Sequence, residues 1–388
     1  MASNATARGV LAAAAEGAEA AVGRRLGCRP DVLVAAGEEA LAALAGYGRQ
    51  AAAFDAARVV IIETPTGREG ADEINDVGRG LARTFGFRVE PAMGGWSLTG
   101  TAPGATAAPA LVAACGAEGF AAAGALTWRV NPGQLAELLR TGRFSLEVPP
   151  IYRVECEGEL GKVVGPTDVG LYLAAQFGAG GAAGAVLEFA GPAVEGWDEY
   201  GRGALMEAAA LCGPRAVYCA PATAADADAS FRYDFSTLAP YYGAWTAAGF
   251  DAGPVSGKAA AYVDRVVIGP GLPAAEIRRA AAVVRGRRAH SDVVLWLVAP
   301  GGVGEDARRD GSLAALEGAG ATAFFAAEAP WDEMLTSAGA VATTARAVFE
   351  NCRDRGVPDY LVNPTTAAAA ALAGELTDPT PLCGIISE

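Results

Sequence analysis

Short apolar runs alternate with amphipathic stretches along most of the chain. The run ARVVIIET at 57–64 predicts a strand buried on both faces, because parallel strands covered by helices are apolar throughout. The next stretch, at 71–86, has the apolar spacing of an amphipathic helix. The apolar stripe of this helix is predicted to consist of Ile74, Val77, Leu81 and Phe85.

The same alternation continues to the end of the chain. Further strands are predicted at 87–92, 151–160, 185–191, 262–271 and 292–302. Further helices are predicted at 106–126, 165–181, 198–213, 273–286, 312–320 and 339–356. Because alternating strands and helices form α/β units, we expect three α/β/α domains with mainly parallel sheets. A Pro-Pro pair at 149–150 and a change of pattern near 255 place these domains at 1–149, 150–254 and 255–388, with a crevice between them.

The charge and composition of the chain exclude some classes of binding partner and location. The 388 residues carry a formal net charge of −14, and the pI is about 4.7, so nucleic acid and anionic membrane surfaces are disfavoured as partners. The apolar N-terminal stretch lacks the basic region of a signal peptide. The alanine-rich run at 105–126 is too weakly apolar to span a bilayer. We therefore expect a cytoplasmic protein.

Residue types that bind metals are scattered. None of the seven cysteines forms a C-x-x-C pair, which is typical of buried thiols in a reducing compartment. The single histidine, His290, is predicted to be a surface or loop residue, and one histidine cannot build a histidine-based metal site. An oxygen-only site for Mg²⁺ or Mn²⁺, with Glu63, Asp332 or Glu333 as ligands, is a weaker alternative.

Glu63 stands at the end of the first buried strand. In open α/β sheets the ligand crevice lies beyond the carboxyl ends of the strands, so Glu63 is a candidate general acid or base. The alternative role for this carboxylate is an N-cap or a salt bridge.

The stretch GGWSLTG at 94–100 is a glycine-rich loop ahead of a predicted helix. Ser97 and Thr99 offer hydroxyls, and such loops suit anion contacts through backbone N–H groups. Trp96 would wall an apolar pocket or fill core volume. A glycine-rich loop of this kind also occurs without any bound anion.

Two stretches carry a resemblance to a known family. The closing YLVNPTTAAAAALAGELTDP resembles the aconitase and isopropylmalate dehydratase superfamily, whose large subunits carry a similar LVSPATAAAAAIAG segment. The stretch from YRVECEGEL to LEFAGPAV, at 152–194, resembles the second domain of that family almost element by element. The resemblance covers roughly residues 25–380 and rests on order and pattern more than on identity.

The resemblance implies that this chain keeps the family's fold but has lost the residues that bind the family's cofactor. The family holds a [4Fe–4S] cluster with three cysteines, and one iron acts as a Lewis acid on the substrate. Here the first cysteine position falls at Pro270, and the later Cys-x-x-Cys position falls at 329–335, which contains no cysteine. The family's Asp-Ser-His-Thr motif reads Trp-Ser-Leu-Thr at 96–99, and its Asp-His pair reads Glu-Thr at 63–64. We therefore expect no iron–sulfur cluster and no other cofactor or metal.

The resemblance also implies residues that contact substrate. Glu188 matches an active-site glutamate of the family; its alternative is a glutamate that faces solvent at a strand edge. Arg346 matches the first arginine of a substrate-binding segment and would grip a carboxylate, or it would be an exposed helix residue. Arg353 matches the second arginine only with an insertion. Thr343 and Thr344 would supply hydroxyls to the substrate or cap the helix.

Two functions are compatible with this pattern. One is a cluster-free lyase, isomerase or cyclase that applies acid–base chemistry to a small carboxylate-containing intermediate of specialised metabolism. Its catalytic groups would be Glu63, Glu188 and Ser97. The other is a non-catalytic binding or scaffold subunit. We expect this chain to lack the family's fourth, swivelling domain, so a small swivel-domain subunit or a homo-oligomer is the expected assembly under either hypothesis.

Overall fold

The computed structural model describes residues 6–47, 54–63, 70–90, 110–116, 124–178, 180–220, 226–258, 261–299, 301–325, 329–330, 333–334, 339–351 and 359–383. Within these ranges the chain forms a nine-stranded sheet, a seven-stranded sheet and a two-stranded pair. The expected α/β fold with large, mainly parallel sheets is confirmed.

The elements begin and end as follows. The strands are β1 (Arg25–Cys28), β2 (Val32–Ala36), β3 (Val59–Ile62), β4 (Arg88–Glu90), β5 (Ala110–Cys115), β6 (Ala125–Arg129), β7 (Phe144–Glu147), β8 (Ile151–Glu157), β9 (Val186–Ala190), β10 (Ala216–Cys219), β11 (Ala229–Asp234), β12 (Tyr241–Thr246), β13 (Gly249–Pro254), β14 (Arg265–Ile268), β15 (Val294–Ala299), β16 (Thr322–Phe325), β17 (Val341–Thr343) and β18 (Tyr360–Val362). The helices are α1 (Ala7–Ala14), α2 (Gly37–Tyr47), α3 (Ala71–Phe85), α4 (Pro132–Thr141), α5 (Pro166–Phe177), α6 (Pro192–Gly196), α7 (Glu199–Ala209), α8 (Ala274–Val284), α9 (Gly301–Arg309), α10 (Ser312–Ala319), α11 (Arg346–Asn351), α12 (Pro364–Ala373) and α13 (Thr380–Cys383).

The nine-stranded sheet consists of two parallel halves that run in opposite directions. Its order is β11-β8-β9-β10-β6-β5-β2-β3-β4, and every neighbouring pair is parallel except β10 and β6. Ala216 and Val217 face Trp128 and Thr127 across this antiparallel join. The sheet is thus continuous across residues 149 and 150, where a domain boundary is predicted. The carboxyl ends of the strands in the two halves lie at opposite edges.

The seven-stranded sheet takes strands from both sides of residue 255. Its order is β13-β12-β18-β17-β14-β15-β16, with five parallel strands from β18 to β16. The hairpin of β12 and β13 joins it by antiparallel pairing of β12 with β18. This hairpin therefore belongs with the last part of the chain, although it precedes the predicted boundary at 255.

Apolar clusters on opposite faces of the sheets form the core. One cluster combines α1, α2 and α4 with one face of the nine-stranded sheet. A second combines α5 and α7 with the opposite face of β8, β9 and β10. A third combines α8, α10 and α12 with the seven-stranded sheet. None of the helices in the described ranges has the length and apolarity that a bilayer crossing requires.

Two predicted helices are wrong in part. The stretch predicted as a helix at 106–126 contains β5 and the start of β6, and β5 lies between β2 and β6. A short apolar run cannot be assigned to helix or strand from periodicity alone, and burial between two neighbours selects the strand. The predicted helix at 339–356 begins with β17 and becomes α11 only at Arg346.

The buried face of α3 agrees with the predicted stripe only in part, since Ile74 and Leu81 pack against the core. Val77 is 48% exposed, whereas Asn75, Gly78 and Ala82 are buried. A Cβ atom on Gly78 would lie 3.1 Å from Cγ2 of Ile61 on β3. The small residues of this helix allow a close approach to the sheet, and that approach sets which face is buried.

Asp168 joins the two large sheets. Its side chain is fully buried in the first turn of α5. The Oδ2 atom accepts hydrogen bonds from the N–H of Gly165 (2.6 Å) and from Nδ2 of Asn363 (2.5 Å). The Oδ1 atom accepts from the N–H of Tyr241 at 2.7 Å. Because Asn363 caps α12 and Tyr241 begins β12, one carboxylate connects three separate segments.

The loop before α5 is held by the same region. Nη2 of Arg279, on α8, donates to the carbonyls of Lys162 and Val164 at 3.0 and 2.9 Å. The carbonyl between them, at Val163, accepts from Nδ2 of Asn363 and from Oγ1 of Thr365 at 2.9 and 2.7 Å. Three consecutive carbonyls thus bind side chains of α8 and of the start of α12. We call these contacts and those of Asp168 the polar seam.

The pH dependence of stability is expected to report on Asp168. Burial raises the pKa of Asp168 from 3.8 to about 6, and the hydrogen bonds from Tyr241, Gly165 and Asn363 limit that rise. The folded state therefore binds the proton more tightly than the unfolded state, so this group's contribution to stability falls as pH rises from about 4 to about 6. The unfolding free energy is expected to fall by about 1.4 kcal/mol for each unit by which the folded-state pKa exceeds the unfolded-state pKa.

Urea denaturation of wild type and Asp168→Asn between pH 4 and pH 7.5 measures this contribution. Asp168→Asn is less stable overall, because its amide N–H groups face other donors. The difference in unfolding free energy between the two proteins is expected to shrink as pH rises through the window. Parallel pH profiles for wild type and variant would contradict the assignment.

The packing of α5 on α7 gives a second prediction. A Cβ on Gly170 would lie 2.5 Å from Cβ of Ala208 and 2.9 Å from the carbonyl oxygen of Leu205. Gly170→Ala is expected to lower the unfolding free energy by about 1–3 kcal/mol through overpacking. Gly203, on α7, is the matched control, since among the described atoms its added Cβ would meet none within 4 Å. Gly203→Ala is expected to raise stability by up to about 1 kcal/mol in the same urea titration.

Candidate functional site

Four of the predicted site residues lie outside the described residues. These are Trp96, Ser97, Thr99 and Arg353. The remaining predicted residues, Glu63, Glu188, Thr343, Thr344 and Arg346, are described.

Glu63 follows β3 and forms an ion pair with α3. Its backbone N–H donates to the carbonyl of Glu90 at 3.0 Å, which extends the β3–β4 pairing by one residue. Its Oε1 atom accepts from Nε of Arg79 at 2.6 Å, and the Glu63 side chain is 22% exposed. The hydrogen bond and the negative charge of Glu63 raise the pKa of Arg79. The two structural roles considered for Glu63 were an N-cap and a salt bridge, and the structure shows the salt bridge.

Glu188 is fully buried in the middle of β9, so its alternative as a glutamate facing solvent is wrong. Its Oε1 atom accepts from Nη1 of Arg153 at 2.9 Å, and Arg153 lies opposite it on β8. Its Oε2 atom accepts from the N–H of Ala7, the first residue of α1, at 2.6 Å. Burial raises the pKa of Glu188, and the bonds from Ala7 and Arg153 oppose that rise.

Two further features complete the surroundings of Glu188. Tyr218 lies opposite it on β10, and burial together with the charge of Glu188 raises the pKa of Tyr218. Arg8, the second residue of α1, forms ion pairs with Asp226 at 3.2 Å and with Asp228 at 2.7 Å. The ion pairs of Arg8 with the segment at 226–228 hold the start of α1 over Glu188, and the carboxylate is fully buried.

The strand order separates Glu63 from Glu188. Five strand spacings lie between β3 and β9, which places the two carboxylates about 24 Å apart at roughly 4.8 Å per strand. Both therefore cannot contact one small substrate. The sheet brings Glu188 together with Arg153 instead, and α3 brings Arg79 to Glu63.

The second predicted group lies at the carboxyl ends of β14 and β17. Oγ1 of Thr344 accepts from the N–H of Gly269 at 2.8 Å, which joins the two strand ends beside Pro270. The Thr343 side chain is fully buried, and its Oγ1 accepts from the N–H of Ala345 at 3.1 Å. Both hydroxyls thus shape the turn that leads from β17 into α11.

Arg346 begins α11 and is only 7% exposed, so its alternative as an exposed helix residue is wrong. Its Nε and Nη2 atoms donate to Oε1 of Glu350 at 3.3 and 3.1 Å. Its Nη1 atom donates to the carbonyl oxygen of Glu207 on α7. Arg346 therefore lies beyond α7, on the opposite side of the nine-stranded sheet from Glu188.

The described residues do not fit a cluster held by three cysteines. Cys28 and Cys115 lie in one apolar cluster, and Cys156, Cys212 and Cys219 lie in another. Burial raises the pKa of the first two to about 11 and of Cys212 and Cys219 to about 12. In the described ranges no three His, Cys, Asp or Glu side chains converge as metal ligands. Pro270 lies two residues beyond the end of β14.

His290, Asp332 and Glu333 were also considered in connection with metal binding. His290 has a side chain that is 45% exposed, which confirms it as a surface residue. Glu333 is exposed, and Asp332 lies outside the described residues.

Sequence reasoning missed the partners of the charged site residues. Arg79, Arg153 and Glu350 were not predicted. The spacing of Arg346 and Glu350 by four positions within a helix is a signal that could have found that pair. Arg153 and Glu188 are 35 positions apart, and only the parallel register of β8 and β9 brings them together.

Comparison with known proteins agrees with this fold. A model of the aconitase family (aconitate hydratase) matches residues 117–226. The 3-isopropylmalate dehydratase large subunit of Oleidesulfovibrio alaskensis is 31% identical over 284 residues, which covers 66% of this chain and 68% of that protein. The probable methanogen homoaconitase large subunit of Methanosarcina mazei is 28% identical over 289 residues, 67% of this chain and 73% of that protein.

A solved structure extends the likeness to the fold. The crystal structure of Thermococcus kodakaraensis aconitase X in its holo-form superposes with a TM-score of 0.52. The match covers 85% of this chain and 86% of that chain at 13% identity. Identity at this level supports the shared architecture alone.

The buried pair of Arg153 and Glu188 is expected to be sensitive to loss of one partner. Arg153→Met leaves the Glu188 carboxylate buried without its counter-charge, and we expect a loss of about 3–5 kcal/mol in unfolding free energy. Arg153→Met/Glu188→Met removes both charges and is expected to recover much of that loss. Chemical denaturation of the three proteins measures the effect.

Glu63→Gln provides the matched control. Its ion pair with Arg79 is half exposed, and such pairs are weak and screened by salt, so we expect little change in stability. An Arg153→Met variant as stable as Glu63→Gln would mean that Glu188 is open to solvent, against the geometry described above.

Proposed function

This chain belongs to the aconitase superfamily, and from that premise we propose that it is a hydro-lyase-type enzyme acting on a small carboxylate-containing substrate. The observation that carries the proposal is the 31% identity to a 3-isopropylmalate dehydratase large subunit over 284 residues. Relatives with this frame are named as dehydratase and homoaconitase subunits. An elimination of this type needs a base for a proton on carbon, an acid for the leaving hydroxyl and a grip on the carboxylate.

The second part of the proposal is that the reaction proceeds without an iron–sulfur cluster. Pro270 at the predicted first cysteine position supports this, as does the placement of the described cysteines in apolar clusters. Ser97 is then the proposed acid–base group, because Glu63 follows β3, four strand spacings from β10, and α7, which Arg346 contacts, packs on β10. Glu63 and Glu188 support the frame through their ion pairs. Arg346, Thr343 and Thr344 form the proposed carboxylate-binding end.

The setting of the enzyme is also part of the proposal. Both relatives are named large subunits, so we propose a small subunit or a homo-oligomer as the functional assembly. A cytoplasmic role in specialised metabolism fits an enzyme of this frame with altered reactive groups. Lyase, isomerase and cyclase chemistry share the same acid–base requirement.

One observation favours the rival function of a non-catalytic binding or scaffold subunit. Each described charged residue of the predicted site already has a counter-charge from this chain. The three ion pairs are Glu63–Arg79, Glu188–Arg153 and Arg346–Glu350. A structural protein would keep these pairs for stability alone.

A turnover assay separates these functions. The purified chain, alone and with a co-expressed small subunit, is assayed for dehydration of small 2-hydroxy acids and for hydration of the matching unsaturated acids. Each assay is run before and after incubation with iron and sulfide, with the bound iron measured. We expect turnover by protein that holds no iron.

Variants connect this turnover to the proposed site. Arg346→Gln is expected to raise KM by about tenfold to a hundredfold, since a charge-assisted hydrogen bond contributes roughly 1.5–3 kcal/mol. Arg309→Gln, which removes an exposed arginine paired with Asp306, is the control and is expected to leave KM unchanged. Turnover only after iron and sulfide treatment would overturn the cluster-free proposal. Absence of turnover under every condition would favour the scaffold function.

A further inference from the structure

In the ion pair of Arg346 and Glu350, the glutamate carboxylate contacts the guanidinium as a bound carboxylate ligand would. The guanidinium side chain is 7% exposed, and the Glu350 side chain is 19% exposed. Nε and Nη2 of Arg346 both donate to one oxygen of Glu350, at 3.3 and 3.1 Å. A free carboxylate can instead offer two oxygens to two parallel N–H groups, which is the stronger arrangement.

We propose that Glu350 is an internal carboxylate ligand of Arg346, and that a substrate carboxylate binds Arg346 by displacing it. This inference rests on the proposed function in taking a carboxylate as the ligand. Glu350 is thereby a specificity-determining residue, because only a carboxylate that binds better than Glu350 occupies the site.

Burial explains why an internal ligand is needed. A guanidinium this deeply buried is costly without a counter-charge, so Arg346 must be paired when no substrate is bound. Glu207 contributes a carbonyl oxygen to Nη1, and that contact holds the guanidinium in place from the α7 side. The charge of Arg346 therefore stays positioned whichever carboxylate is bound.

Relative exposure identifies this pair as the exchangeable one. Arg153 and Glu188 are exposed by 3% and 0%, so neither side chain can turn into solvent without opening the sheet face. Glu63 and Arg79 are exposed by 22% and 44%, where water screens any gain from an external anion. Glu350 has a buried arginine as its partner, but its own carboxylate is partly exposed. The Glu350 side chain can therefore rotate into solvent when another carboxylate binds.

The test measures binding of small carboxylates to Glu350 variants. Acetate and succinate are titrated into wild type, Glu350→Gln and Glu350→Ala by calorimetry and thermal shift. Acetamide and equal ionic strengths of chloride serve as ligand controls. We expect Glu350→Ala to bind the carboxylates about tenfold or more tightly than wild type, because no internal anion competes. Glu350→Gln keeps the side-chain volume and a hydrogen-bond acceptor, and we expect an intermediate gain.

Two further variants show whether Arg346 receives the anion. Arg346→Gln/Glu350→Ala is expected to lose the gain in carboxylate affinity. Asp306→Ala breaks a solvated arginine–aspartate pair on α9 and is expected to bind carboxylates as wild type does. If Glu350→Ala does not fold, Glu350→Gln carries the same comparison.

The inference is overturned if Glu350→Gln and Glu350→Ala bind carboxylates no better than wild type, whether that affinity is measurable or absent. It is also overturned if the double variant retains the gain. The readout is equilibrium binding, so its failure is separate from a failure of turnover. An active enzyme whose carboxylate affinity ignores Glu350 would keep the proposed function and discard this inference.

Discussion

The buried carboxylate of Asp168 is the constraint on which the arrangement of the two large sheets depends. Its three donors come from the start of α5, the start of β12 and the cap of α12. A buried carboxylate that loses such donors is strongly unfavourable, so these three segments cannot shift independently. The neighbouring carbonyls at 162–164 add four hydrogen bonds from α8 and α12. The position of the seven-stranded sheet against α5 and α7 follows from this polar seam.

The position of Arg346 is a consequence of the same arrangement. It begins α11 at the end of β17 in the seven-stranded sheet, yet its guanidinium binds a carbonyl of α7, which packs on the nine-stranded sheet. Such a contact across the seam exists only because the seam holds the two sheets at a fixed offset. Among the charged residues of the predicted site that the structure describes, Arg346 is the one that bridges elements of both sheets.

Sequence pattern predicted the elements better than their contacts. The strand at β3 and the helices at α5, α7 and α8 were predicted correctly because burial on one or both faces leaves a periodic trace. The strand β5 was missed because its six apolar residues satisfy either period. The antiparallel join of β6 to β10 has no trace in the sequence, since it depends on which strands become neighbours. For that reason the separation of Glu63 from Glu188 could not be predicted, and resemblance alone placed them in one site.

Ion pairs explain how the fold can remain stable after the family's catalytic residues have been replaced. A buried carboxylate such as Glu188 is tolerated only while it is paired, and Arg153 together with the start of α1 supplies that pairing. The ion pair thus gives this glutamate a structural role, whatever its part in chemistry. Arg346 differs because its counter-charge, Glu350, is partly exposed, at 19%. Retention of a charged residue is therefore by itself weak evidence of catalysis.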